Sequence, residues 1–309
     1  MGSANSASAC DAAQSLNPHR VHFVRPDLDR LRDGATVVDM HFHSRYSDGF
    51  NDIEAIAGRV RKMGIGIAVT DHNAIGGALE MARHRDIFSI PGIEVTSREG
   101  AHLLVYFYEI HDLIRFYEKD LRPFLGKEVM SSCALSMESL IACARQYKCV
   151  IVFPHPFSAA YVGVCNPMFS SIRQQYLLAS ADGIEAINAG NLHKWNMDST
   201  LLGFNLDAGL TGGSDGHNLF QFGRAVTCAA CTKDRAAFLD SVRDRATRVV
   251  GKEINILRKV TSNGMKLRSN FRNSSELFGK NIRYGYALIH SRSRQVRDRM
   301  RRRGKSAYK

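Results

Sequence analysis

Five short apolar runs in this chain each end in a cluster of His, Asp or Glu, and that arrangement restricts the fold more than any other feature. Val37-Val38 leads into Asp39-Met40-His41-Phe42-His43-Ser44, with Ser47-Asp48-Gly49 just beyond. Residues 65–69 lead into Thr70-Asp71-His72-Asn73. Gly92-Ile93-Glu94-Val95 closes a third run, His155-Pro156 ends the run over 150–154, and Gly212-Gly213-Ser214-Asp215-Gly216-His217 follows 208–211. His102 is the exception, because it opens the run over 103–107. Short apolar runs bounded by turn residues read as buried strands. In a parallel α/β barrel the strand C-termini converge on one face, which is where such a fold builds its site.

Alternate side chains of a strand point the same way, so His41 and His43 present two imidazoles on one face. Asp48 follows in a glycine-containing turn. Two imidazoles and a carboxylate suit zinc, iron or manganese better than calcium. Metal ions about 3.5–4 Å apart polarise a phosphoryl group and activate water for attack on it.

The motif set, taken in order, resembles that of the polymerase-and-histidinol-phosphatase (PHP) family of metal-dependent phosphoesterases over roughly residues 36–250. The resemblance implies a distorted (β/α)7 TIM-like barrel, hydrolase activity, and two or three divalent transition-metal ions, Mn, Fe or Zn. It implies that His41, His43, Glu94 and Asp215 hold one ion, with Glu94 bridging to a second held with His102 and His155. Asp48, His72 and His217 would hold a third. Asp71 and His217 are the candidates for proton transfer. Asp71 alternatively orients His72, and Asp39 has a similar supporting role. Arg45, Arg98 and Arg224 are candidates for gripping a substrate phosphate, whereas His193 reads as surface.

The charge is unevenly placed. Residues 251–309 hold seventeen Lys and Arg against three acids, a net +14, while the preceding 250 residues sum to −2. Such a tail suits nucleic acid, an anionic surface or an acidic partner. The chain therefore divides into a leader over 1–35, a catalytic barrel over 36–250 and a basic tail over 251–309. Apolar residues in the tail such as Leu277, Phe278 and Ile282 are too few for an independent domain. No stretch of about 18 apolar residues marks a transmembrane segment. Seven cysteines without a disulfide pattern suit a reducing cytoplasm, and Cys228-Ala229-Ala230-Cys231 reads as a strand end.

Helical spacing is expected over 27–32, 51–63, 74–83, 136–147, 194–202 and 234–245, with further strands at 182–187 and 223–227. The function expected is metal-dependent hydrolysis, by metal-activated water, of a phosphoester carried by a phosphorylated small molecule or nucleotide. The alternative is a nucleic-acid-associated module, either an end-processing nuclease or a structural factor, that uses the basic tail.

Overall fold

The computed structural model describes residues 20–158 and 162–253. Most of the expected leader and all of the tail after residue 253 lie outside the described residues. The chain alternates strands and helices: β1 (Val21–His22), α1 (Leu28–Arg32), β2 (Thr36–Phe42), α2 (Ile53–Met63), β3 (Gly66–Val69), α3 (Gly76–Met81) and β4 (Gly92–Thr96). Next come β5 (His102–Phe107), α4 (Ile110–Arg115), α5 (Met137–Ala144), β6 (Cys149–Phe153), α6 (Ser171–Ala179) and β7 (Gly183–Asn188). The series closes with α7 (His193–Asn205), β8 (Gly209–Gly213), β9 (Ala225–Ala229), α8 (Arg235–Arg243) and β10 (Thr247–Gly251).

The helix ends follow from local chemistry. At the start of α2, Asp52 Oδ1 accepts a hydrogen bond from Ala55 N at 2.9 Å, satisfying a donor that has no intrahelical partner. Ile53, Ile56, Ala57 and Val60 form its buried face, and Gly64, at φ 65°, ends it in the left-handed conformation that glycine adopts without strain. Ser136 and Asp234 cap α5 and α8 in the same way as Asp52. Asp27 caps α1, inside the stretch expected to be leader.

The strands form two five-stranded sheets, ordered β1-β10-β9-β2-β3 and β4-β5-β6-β7-β8. Among the described residues no single hydrogen-bonded barrel closes; isolated bridges tie β3 to Ser89 ahead of β4, His72 after β3 to Glu94 of β4, and Phe42 of β2 to Gly216 after β8. The expected alternation of parallel strands is only partial, since β4–β5, β5–β6, β2–β9 and β9–β10 pair antiparallel. The β4–β5 case has a simple cause. Only residues 97–101 separate the two strands, too few for the crossover that parallel pairing needs. A strand from the supposed leader also enters the fold, with Val21 beside Val249 and His22 beside Val250. No helix among the described residues is long and apolar enough to cross a membrane.

Apolar side chains fill the space between sheets and helices. Val105, Phe107 and Ile151 pack with Phe116, Leu140 and Leu177 on one side, and Ile56, Val60, Ile67 and Phe222 pack together on the other. β2 is buried along its whole length, including the polar Asp39 and His41. β8 lies so close to β2 that a methyl group at Gly213 would stand 2.3 Å from His41 Cβ and 2.6 Å from His41 N. Neither neighbour can swing away, so the glycine pair in the 212–217 motif has a packing reason. Gly213→Ala should cost about 1–3 kcal/mol, as overpacking does, read as a lower thermal unfolding midpoint. An unchanged midpoint would show that β2 and β8 can separate freely.

Candidate metal centre

The side chains of every candidate metal ligand meet at one end of the two sheets. Glu94, on β4, is at the middle. Its Oε1 lies 2.9 Å from His102 Nδ1 and 3.2 Å from His155 Nε2. Its Oε2 lies 3.1 Å from His72 Nδ1, 3.3 Å from His41 Nε2 and 3.4 Å from His43 Nε2. Glu94 is 1% exposed, so its charge is balanced by neighbouring groups and not by solvating water.

The antiparallel hairpin explains His102. Glu94 faces Leu104 across β4–β5, and His102 lies two residues along β5, on the same face as Leu104. An antiparallel strand carries its first residue to the end where its neighbour finishes. His102 therefore joins the other ligands although it starts a strand.

Around this centre the donors form three groups within metal-holding distance: His41, His43 and Asp215; His72, Glu94 and His102; and His43, Asp48, His72 and His217. Membership differs from the expected sets. His43 and His72 each face two groups, and His155 belongs to none of the three although its Nε2 lies 3.2 Å from Glu94 Oε1. His41 Nε2 and His43 Nε2 stand 3.1 Å apart, with Asp215 Oδ1 3.1 Å from His43 Nε2. His43 Nδ1, His72 Nδ1, His155 Nδ1 and Glu94 Oε2 are buried and make no hydrogen bond. Converging lone pairs that lack hydrogen-bond partners fit divalent metal ions.

The electrostatics agree. Burial would lower the pKa of His41, but Glu185, Glu94 and Asp215 outweigh it and raise it well above the usual imidazole value. Burial would raise Glu94 and Asp215, yet the surrounding histidines hold both carboxylates well below their usual range. Burial dominates at His72 and lowers it to about 3, leaving a neutral imidazole suited to ligation. The cluster thus keeps its carboxylates ionised and favours a proton on His41, which a bound cation would displace.

The surrounding backbone is shaped to aim the ligands. His155 and Asp215 have φ of 30° and 47°, a region that non-glycine residues rarely occupy and that recurs at functional sites. His217 Nδ1 donates to the Asp215 carbonyl at 2.9 Å, which turns Nε2 toward Asp48 Oδ2, also at 2.9 Å. Gly49 lets the turn carrying Asp48 fold back on itself, since a Cβ there would come within 2.3 Å of His43 O.

Asp71 does not orient His72. Its Oδ1 accepts from Ser44 N and Ser47 Oγ, and its Oδ2 from Ser44 Oγ, all at 2.7 Å. Those three bonds hold the Ser44–Asp48 turn instead. Asp39 supports backbone as well, accepting from Ser214 N at 2.9 Å and Gly223 N at 2.8 Å. Burial raises its pKa to about 6.

Two buried partners of the candidate ligands escaped the sequence reading. Glu185 on β7 is buried, receives His41 Nδ1–H at 2.9 Å and also accepts from His155 N at 2.9 Å. Asn188 donates to Glu185 Oε2 at 2.9 Å and to Asp215 Oδ2 at 3.2 Å. The available sign was an acid in the middle of an otherwise apolar strand, Gly-Ile-Glu-Ala-Ile. Of the three arginines, Arg45 lies 3.8 Å from Asp52 and Arg98 3.9 Å from Glu99, both largely exposed. Arg224 Nε donates to Phe220 O at 3.3 Å. His193 is exposed and lies 3.1 Å from Glu253.

No protein-family model matches the sequence, and no curated protein matches it. Solved structures do. Endonuclease Q, in complex with a 27-mer duplex bearing an abasic lesion at the active site, superposes with TM-score 0.57 at 16% identity, over 71% of this chain and 60% of that one. A two-domain protein from Bacteroides vulgatus ATCC 8482, described as containing a PHP-like metal-dependent phosphoesterase, gives 0.53 at 17%, over 78% and 73% of the chains. PsfC from Pseudomonas syringae PB-5123 gives 0.52 at 18%, over 76% and 99%. The chain shares the fold of these structures, among them a PHP-like metal-dependent phosphoesterase. The likeness that the motifs imply is therefore present in three dimensions, and the buried His, Asp and Glu clusters fit divalent metal ions.

Glu185 fixes the tautomer and direction of His41, so Glu185→Gln should weaken metal binding about 10–100-fold while leaving the chain folded. Competition with a calibrated chelator measures this. Wild-type affinity in the variant would show that His41 needs no such partner.

Proposed function

We propose that this chain is a PHP-family metal-dependent phosphoesterase that hydrolyses the ester of a small phosphomonoester or nucleotide. The observation that carries the reading is Glu94, one buried carboxylate within 3.4 Å of His41, His43, His72, His102 and His155. A distorted (β/α)7 barrel and a cytoplasmic location are the fold and compartment that accompany it. Two or three ions of Mn, Fe or Zn, once bound, would polarise the phosphoryl oxygens and lower the pKa of water.

The residues divide the remaining work. Glu94 supplies the shared negative charge between ligand groups, and Asp48 and Asp215 balance the outer histidines. Asp71 positions Asp48 through Ser44 and Ser47; with both oxygens engaged, it acts as a positioning residue and not as the proton carrier expected from sequence. His217 is the better candidate to move a proton, because Asp215 O holds Nδ1 and leaves Nε2 directed at the cluster. Arg45 and Arg98 stand exposed, where each can exchange a long ion pair for a substrate phosphate.

A second reading has its own support. The shared fold with Endonuclease Q and the +14 charge of residues 251–309 favour a nuclease or nucleic-acid-associated factor. The two are separated by measuring phosphate release from nucleotides and sugar phosphates against cleavage of short oligonucleotides, with Mn, Fe or Zn supplied.

Glu94→Gln should cut phosphoester turnover by orders of magnitude without unfolding the chain, while His193→Ala should leave turnover near wild type. Equal losses in the two variants would show that the site is misassigned. Removal of residues 292–309 should weaken polyanion binding, mainly at low salt, and spare turnover of a small phosphomonoester. Loss of that turnover with metals retained would place the tail in the site.

A further inference from the structure

Outside the metal centre, a cavity of about 270 Å³ opens where the chain leaves the described fold. Its lining brings together Arg25 and Arg59 with the sequence-distant Arg224 and Lys252, beside the rings of Phe220 and Phe222. Glu253 is the acid in the lining, and its carboxylate is engaged at 3.1 Å by both His193 Nδ1 and Asn196 Nδ2. The lining thus holds four cations and one carboxylate, a net positive charge. Arg59 Nε is buried and makes no hydrogen bond, an arrangement that costs free energy until an acceptor arrives.

We propose that this cavity is a phosphate-binding site that docks the backbone of a nucleic-acid strand. The chemistry is that of guanidinium and ammonium groups converging on a phosphate. Two observations favour a polyanion over a free phosphate. In sequence, Lys252 and Glu253 are followed by residues 254–309, which carry sixteen Lys and Arg against two acids. The same loop that holds the metal ligands Asp215 and His217 ends in this wall at Phe222 and Arg224. Gly223 of that wall is tied through Asp39 Oδ2, at 2.8 Å, to the strand carrying His41. Arg224 follows His217 by seven positions, so the two lie within about 25 Å, a span that one strand of a few nucleotides covers. The site adds a substrate class to the reading of the metal centre but does not depend on turnover there.

The test compares the full-length double variant Arg59→Gln, Lys252→Gln with wild type and with the surface control Arg243→Gln. The probes are a fluorescent, phosphorothioate single-stranded oligonucleotide and inorganic phosphate. The double variant should bind the oligonucleotide about tenfold more weakly at low salt, and each lost contact should flatten the salt dependence by about 0.7 in log–log slope. Lys252→Gln alone, at an exposed position, should move the same way, which guards against a folding defect in the double variant. Loss of stabilisation by inorganic phosphate with unchanged oligonucleotide binding would overturn the nucleic-acid assignment in favour of a free phosphate. Behaviour like the Arg243→Gln control with both probes would overturn the site altogether.

Discussion

Burying one carboxylate is the constraint on which the rest of this structure depends. Glu94 has lost its water and lies among five imidazoles. An ionised carboxylate at such a place is tolerated only if paired or coordinated to metal. Each ligand loop is built to serve that pairing. The close contact of Gly213 with His41 brings β8, and with it Asp215, against β2. Glu185 then fixes the far side of the His41 ring, and Asp71 fixes the turn that carries Asp48. These supports come from β7 and from the loop after β3, so both sheets must be in place before the donors converge.

Much of the site was legible because strand-end clusters are local in sequence. His41 with His43, Asp71 with His72, and Asp215 with His217 are each adjacent or nearly so, and residue type alone marks them. The helices over 51–63, 136–147 and 234–245 were legible for the same reason: their caps and apolar faces lie within one segment. Strand direction was not, since an apolar run reads the same in either direction. That is why the chain reads as a uniform parallel barrel while four pairings run antiparallel, and why His102 looked misplaced until the hairpin turned it toward Glu94. Connection length was the overlooked indicator.

The supporting residues were harder to see. Asp71 and His72 are neighbours in sequence, which suggests that one serves the other, yet the strand-end geometry turns Asp71 back onto Ser44 and Ser47. Glu185 touches His41 across 144 residues, a pairing no local pattern encodes. β1 and β10 escaped for a related reason. β1 is two residues long and pairs with β10, Val21 against Val249, from the far end of the described fold, and β10 in turn pairs along its length with β9. The basic cavity is the extreme case, because Arg25 and Arg59 meet Arg224 and Lys252 from more than 160 residues further along the chain.

The central claim is that the clustered donors hold metal on both sides of Glu94. Anomalous X-ray scattering from crystals of the protein grown with Mn or Zn, collected at the metal edge, tests it most directly. The account predicts two or three peaks, at least two of them within coordination distance of Glu94 and each bounded by the histidines and carboxylates grouped above. A map with no anomalous peak near Glu94, from protein whose fold is otherwise intact, would contradict it.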